Sequence, residues 1–175
     1  MKSRAEIQDA HELAVLSAGL SEHNRVHGLN LVVISRPDPP DAILSDGFIT
    51  TWMELTDAFF SSEWAMDLSS YTSIKGHKPM KPGLYVDMDK QLAGNFCNLL
   101  EQKVDKKSYK PFVQQYGPGI LVVGLESPWL DSDTIDAIDE EWLARGNPDI
   151  SGTFAHVYLR FRSGSGNHAF SWPRS

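Results

Sequence analysis

The chain has 175 residues, of which 41% are hydrophobic, 10% aromatic and 22% charged, and its formal net charge is −7. Five tryptophans and eight phenylalanines exclude a disordered chain and predict one domain, residues 1–175, with a substantial core. The acidic balance argues against a dedicated duplex-binding surface, which is usually basic; the stretch KVDKKSYK at 103–110 is the local exception.

In chain order, residues 3–20 predict a helix: Ser3 and Glu6 have the spacing of a capping box, and Ala10, Leu13, Leu16 and Leu20 form one stripe. LNLVVIS at 29–35 predicts a strand, ended by RPDPP because proline cannot donate to a ladder. AILSDGFITTWMELT at 42–56 predicts a hairpin with Asp46-Gly47 as a two-residue turn. Residues 57–71 read as at least partly helical, and Gly76, Pro79, Pro82 and Gly83 as a loop. A helix over 89–107 follows, with Asp89 as N-cap. Then come a buried strand at 119–127, a helix from Asp131 to Arg145, and a last strand at 153–161 before a glycine- and serine-rich tail. The order predicts an α/β fold with a mixed sheet flanked by helices.

Single cysteine usage (Cys97), a polar amino terminus and the lack of a membrane-length apolar run lead us to expect a cytoplasmic protein with no membrane partner.

The hairpin carries the chemistry. With Asp46-Gly47 as the turn, Ser45 opposes Phe48 and Asp41 opposes Trp52. Glu54 is then the diagonal neighbour of Asp41 on the same face, about 7–8 Å away at Cα. Two carboxylates so placed can reach one hard divalent cation. Asp38 fails the same parity test. The competing reading makes Asp41 a turn residue and Glu54 a half-exposed strand residue, yet TTWMELT is apolar on both faces, and an uncompensated carboxylate there is costly.

PPDAILSDGFITTWMELTDAF resembles the core motif of PD-(D/E)XK nuclease-like proteins, with a restriction endonuclease-like fold. Pro40-Asp41 matches the first part and Glu54-Leu55-Thr56 the second. The resemblance implies that Asp41, Glu54 and the Leu55 carbonyl bind Mg²⁺ or Mn²⁺, with Glu6 as a further acid from the preceding helix. Thr56 stands where the family has its motif lysine; the chain is similar in this to branches that supply the lysine from a following helix. Leu92, Phe96, Leu99 and Lys103 share a helical stripe, with Lys107 one turn later. Lys103 is the first candidate and Lys107 the second, against the alternative that both snorkel from a core helix. Thr56, Lys106 and Tyr109 are the candidate substrate contacts. Glu6 is equally accounted for by the capping box, and Glu12 is a weaker substitute.

Other signals read as structural. His23 and His27 are four apart but follow the predicted helix with no third ligand evident, so a solvated turn is expected; His156 reads as a core or edge histidine of the last strand. His77 and His168 lie in loops, Cys97 reads as a small buried hydrophobe, and DSDTIDAIDEEW as a solvated acidic helix. The function these observations imply is a metal-dependent nuclease hydrolysing phosphodiester bonds of nucleic acid, with DNA as the expected partner. The rival is a catalytically inactive nuclease-fold protein acting as a protein-binding or structural module, and a homodimer or a protein partner is a further expectation. A third reading is an antitoxin-like acidic surface that mimics nucleic acid.

Overall fold

A computed structural model describes residues 4–70, 77–81, 85–163 and 166–174. Ser3 of the expected capping box, and Gly76, Pro82 and Gly83 of the expected loop, lie outside them. The elements are α1 (Arg4–His27), β1 (Val32–Ser35), β2 (Ala42–Ser45), β3 (Thr50–Phe59), α2 (Ser62–Ser70), α3 (Met88–Val104), a 3-10 turn (Lys107–Tyr109), α4 (Lys110–Tyr116), β4 (Gly119–Glu126), α5 (Ser132–Ala144), β5 (Phe154–Ser163) and β6 (Gly166–Trp172). The strands form one sheet in sequence order. β3, β4 and β5 run parallel at its centre, and β1–β2–β3 and β5–β6 are antiparallel at its rims. This is the expected α/β class, a mixed sheet flanked by helices. Among the described residues, no helix is long and apolar enough to cross a membrane.

Burial on both faces explains why β4 reads as a continuous apolar run, GILVVGLE, rather than an alternating one. Its Leu121, Val123 and Leu125 pack under α3 (Leu92, Phe96, Leu100) and α5 (Ile138, Trp142), while Ile120 and Val122 pack under α1 (Val15, Leu16). Helix α1 lies close to the sheet at Gly19, where a Cβ would fall 2.4 Å from Val122 Cγ2. It ends at Gly28, whose φ of +63° is the left-handed conformation that terminates helices.

Several boundaries differ from the expectations. α1 runs on to His27, so His23 and His27 are helical rather than in a solvated turn. β3 extends to Phe59 instead of yielding to helix at 57, because β4 pairs with it as far as Phe59↔Glu126. α3 stops at Val104 with Asp105 as C-cap, and its N-cap is Asp87; Asp89 lies inside the first turn and accepts a hydrogen bond from Thr134 Oγ1 at 2.6 Å. The expected tail is instead the edge strand β6. The helix at 131 starts as expected, with Asp131 and Thr134 forming a reciprocal cap.

The hairpin turn is longer than two residues. The register is Ser45↔Thr50, Leu44↔Thr51, Ile43↔Trp52 and Ala42↔Met53, so Asp46 to Ile49 form a four-residue loop. Asp46 Oδ1 accepts the N–H groups of Phe48 (2.9 Å) and Ile49 (2.8 Å), and Ser45 Oγ donates to the Ile49 carbonyl. These side-chain bonds favour the wider loop over a tight two-residue turn. The error is two residues, an even number, so the paired residues 42–45 keep their expected faces. Asp41 lies just outside this ladder, in a cavity with His11, Glu12 and Val15 of α1.

Candidate functional site

Asp41 lies one residue before β2, where the ladder with β3 ends. Its Oδ2 accepts the Leu55 N–H at 2.7 Å, standing in for a strand carbonyl. Burial, the Glu54 charge and the Glu12 charge push the Asp41 carboxyl above its ordinary value; the Leu55 N–H and Lys103 work against them. The N–H and C=O of a strand residue point the same way across a ladder. The Leu55 carbonyl therefore faces the Asp41 side.

Glu54 sits on β3 facing α3 and is 5% exposed. Its Oε1 accepts hydrogen bonds from Lys103 Nζ at 2.7 Å and Tyr109 Oη at 2.6 Å, and Lys106 Nζ is 3.9 Å away. Its Oε2 is buried and has no hydrogen-bond partner among the described residues. A buried acceptor left open is costly in a folded protein, which makes it a marker of something beyond packing.

The structure brings some of the expected residues together and separates others. Lys103, in the last turn of α3, reaches Glu54. Lys107 does not: the helix ends before it, the chain turns, and its side chain is exposed in the 3-10 turn. Tyr109, expected to touch substrate, is 1% exposed and spends its hydroxyl on Glu54; burial and that bond hold the phenol well above its ordinary value. Lys106 is half-exposed over the Tyr109 ring, 5.0 Å from its centre. With Lys107 and Lys110 it lines a cavity of about 460 Å³ next to Tyr109.

Thr56 is half-buried in a smaller cavity of about 120 Å³, shared with His11, Glu12, Val15, Asp41, Leu55 and Asp57. Glu6 is exposed in the first turn of α1. The α1 acid beside Asp41 is Glu12, which also pairs with Arg36 at 3.2 Å.

Two residues in this small cavity escape the sequence reading. His11 Nε2 lies 3.0 Å from Asp57 Oδ2, and that bond raises the imidazole above its ordinary value despite burial. With Glu126, these side chains present ligand-capable atoms within 4.8 Å of one another. Glu126 is also held by the buried Arg160 at 2.6 Å, so much of its charge is already compensated. Asp57 follows the motif by a single residue, but on the opposite face of β3 from Glu54, and its histidine partner comes from a helix far back in the chain. Nothing in the spacing announces that pair.

The donor set at the first cluster fits a hard divalent cation. It offers the Asp41 carboxylate with the Leu55 carbonyl on its side, and the Glu54 carboxylate with one buried oxygen that has no partner among the described residues. No family model matches the chain, and neither curated proteins nor solved structures include one significantly similar to it.

Proposed function

We propose that the chain is a Mg²⁺- or Mn²⁺-dependent nuclease of the PD-(D/E)XK-like kind, with a restriction endonuclease-like arrangement, acting on DNA. The observation that carries the reading is the state of Glu54. One oxygen is fixed by Lys103 and Tyr109 while the other is buried and open, with Asp41 close enough to feel the Glu54 charge. The resemblance of Pro40-Asp41 and Glu54-Leu55-Thr56 to the family motif supports it, as does a lysine supplied by the following helix in place of Thr56.

In this reading Asp41, Glu54 and the Leu55 carbonyl hold the cation, with Glu12 rather than Glu6 as the neighbouring α1 acid. When bound, the cation polarises a phosphate and acidifies an attacking water. Lys103 keeps Glu54 aimed, and its ammonium stabilises negative charge gathering on the phosphate. Tyr109 fixes the Glu54 rotamer from inside the core, which is positioning rather than substrate contact. Thr56 borders the Asp41 cavity. Lys106, Lys107 and Lys110 give the phosphate backbone a local positive surface on a chain whose net charge is −7. A cytoplasmic location goes with this reading, since Cys97 is a buried free thiol.

A second reading has one observation in its favour. Glu54 Oε1 is already saturated by two donors, as in a fold kept for binding after catalysis is lost. Incubation of plasmid, linear duplex, single-stranded DNA and RNA with Mg²⁺ or Mn²⁺ separates the two. The nuclease reading expects cleavage that vanishes in Asp41→Ala and Glu54→Ala. Cleavage surviving both substitutions contradicts the assignment, and no cleavage of any substrate favours the inactive module.

A further inference from the structure

The far end of α1 carries a second constellation that the nuclease reading does not use. His23 and His27 lie one helical turn apart on α1, and His156 faces them from β5. The ring centres are 4.5 Å (His23–His27), 5.0 Å (His23–His156) and 4.4 Å (His27–His156) apart. One ring nitrogen from each lies within 4.8 Å of the other two. We propose that His23, His27 and His156 form a binding site for a borderline transition-metal cation, with Zn²⁺ as its representative.

Four features support a built site. The i, i+4 spacing puts two imidazoles on one helical face, as in known helical zinc sites. His23 is 4% exposed, and its Nδ1 lies 2.9 Å from Tyr158 Oη. With Nδ1 donating to that oxygen, Nε2 is left with its lone pair free, which is how an outer partner fixes a metal-binding tautomer. Burial holds His23 down at about 4 and lowers His156 as well, the direction that disfavours the protonated ring.

The third feature is a strand irregularity. β5 pairs Gly119↔Phe154 and then Ile120↔His156, skipping one residue. Regular alternation would keep Phe154 and His156 on one face. The bulge leaves Phe154 packed on the α3 side, while His156 and Tyr158 turn toward α1. Bulges commonly re-aim side chains in this way near functional sites. The fourth is position: the cluster sits in the last turns of α1, where the helix dipole favours a cation.

Tetrahedral zinc with Zn–N bonds of about 2.0–2.1 Å needs ligand nitrogens about 3.4 Å apart. His27 is exposed and His156 half-buried, so their side chains can close the remaining gap by rotation. The same exposure leaves a coordination position open to solvent. The site is distinct from the Asp41 cluster, since Glu12 and His23 are separated by about 16 Å along α1.

The test is calorimetric titration of Zn²⁺ alone into the chelator-stripped full chain at pH 7.5, beside His27→Ala, His156→Ala and the control His11→Ala. The expected result is one zinc per chain with a dissociation constant tighter than about 10 µM. His27→Ala and His156→Ala should weaken it at least about tenfold, with His11→Ala unchanged. Circular dichroism checks the fold, and because His27 is exposed, its variant decides the matter if His156→Ala does not fold. Binding weaker than about 10 µM in the unsubstituted chain overturns the proposal, as does a loss of less than about tenfold in His27→Ala.

Discussion

The Asp41–Glu54 cluster and the His23–His27–His156 cluster hold their ligand-capable groups by opposite means. In the first, the structure must keep carboxylates where water is scarce: Lys103 and Tyr109 are committed to Glu54, and burial together with Glu54 pushes the Asp41 carboxyl up. In the second, the groups are imidazoles, and burial disfavours charge on two of them, His23 and His156, so their close packing is tolerated. The comparison teaches that the acidic site is stabilised by partners committed within the protein, whereas at the histidine cluster burial itself disfavours charge on His23 and His156.

The largest effect should come from removing the internal counter-charge. Lys103→Met leaves Glu54 buried with one donor, and breaking such a pair costs about 3–5 kcal/mol; denaturant unfolding should show a loss of that order. A change under about 1 kcal/mol would mean that the acidic site is no more internally held than a surface ion pair.

The histidine site should show itself through pH. His23 titrates at about 4 in the fold against an ordinary 6.5, so the unfolded chain binds the proton first. Its contribution is complete above pH 6.5 and is lost as the pH falls toward 4. Linkage puts the loss at up to about 3 kcal/mol. His23→Gln should flatten the stability–pH slope between those limits; an unaltered slope would remove the neutral-imidazole side of the contrast.

Cleavage sharpens the comparison further. Asp41→Ala should lower the rate by more than about 100-fold, beyond the loss expected for an outer partner alone, while His27→Ala leaves cleavage unchanged. Asp41→Asn keeps an acceptor for the Leu55 N–H but deletes a charge whose ionisation burial opposes. It should therefore raise the melting temperature at pH 7 and abolish cleavage, a rise in stability at the expense of function. The smallest effect belongs to His27→Ala, which without metal should alter stability by no more than about 0.5 kcal/mol.

How much of this was legible in the sequence follows from the range of each interaction. The sheet class, the apolar run of β4 and the capped start of α5 are local patterns, and all were readable. The parity of hairpin residues 42–45 was readable too, because it survives a two-residue error in loop length; where Asp41 goes was not, since it lies outside the ladder and its carboxylate takes the Leu55 N–H in a cavity beside α1. Lys103 was legible as a lysine on an apolar stripe. Lys107 was misplaced because nothing in KVDKKSYK announces that the helix ends at Val104. The histidine cluster was hidden for two reasons. α1 is extended beyond its apolar stripe by packing on the sheet, and a bulge in β5 reverses the face that simple alternation assigns to His156. His11 and Asp57 were hidden likewise, their pairing being purely tertiary.

The account stands on Asp41 and Glu54 holding one hard cation between them. Titration of Mn²⁺ followed by its electron paramagnetic resonance signal reads this directly, in the unsubstituted chain and in Asp41→Asn and Glu54→Gln. We expect one bound ion per chain, displaced by Mg²⁺ and lost in both variants. An ion bound equally well by the two variants, or none bound by the unsubstituted chain, contradicts the account.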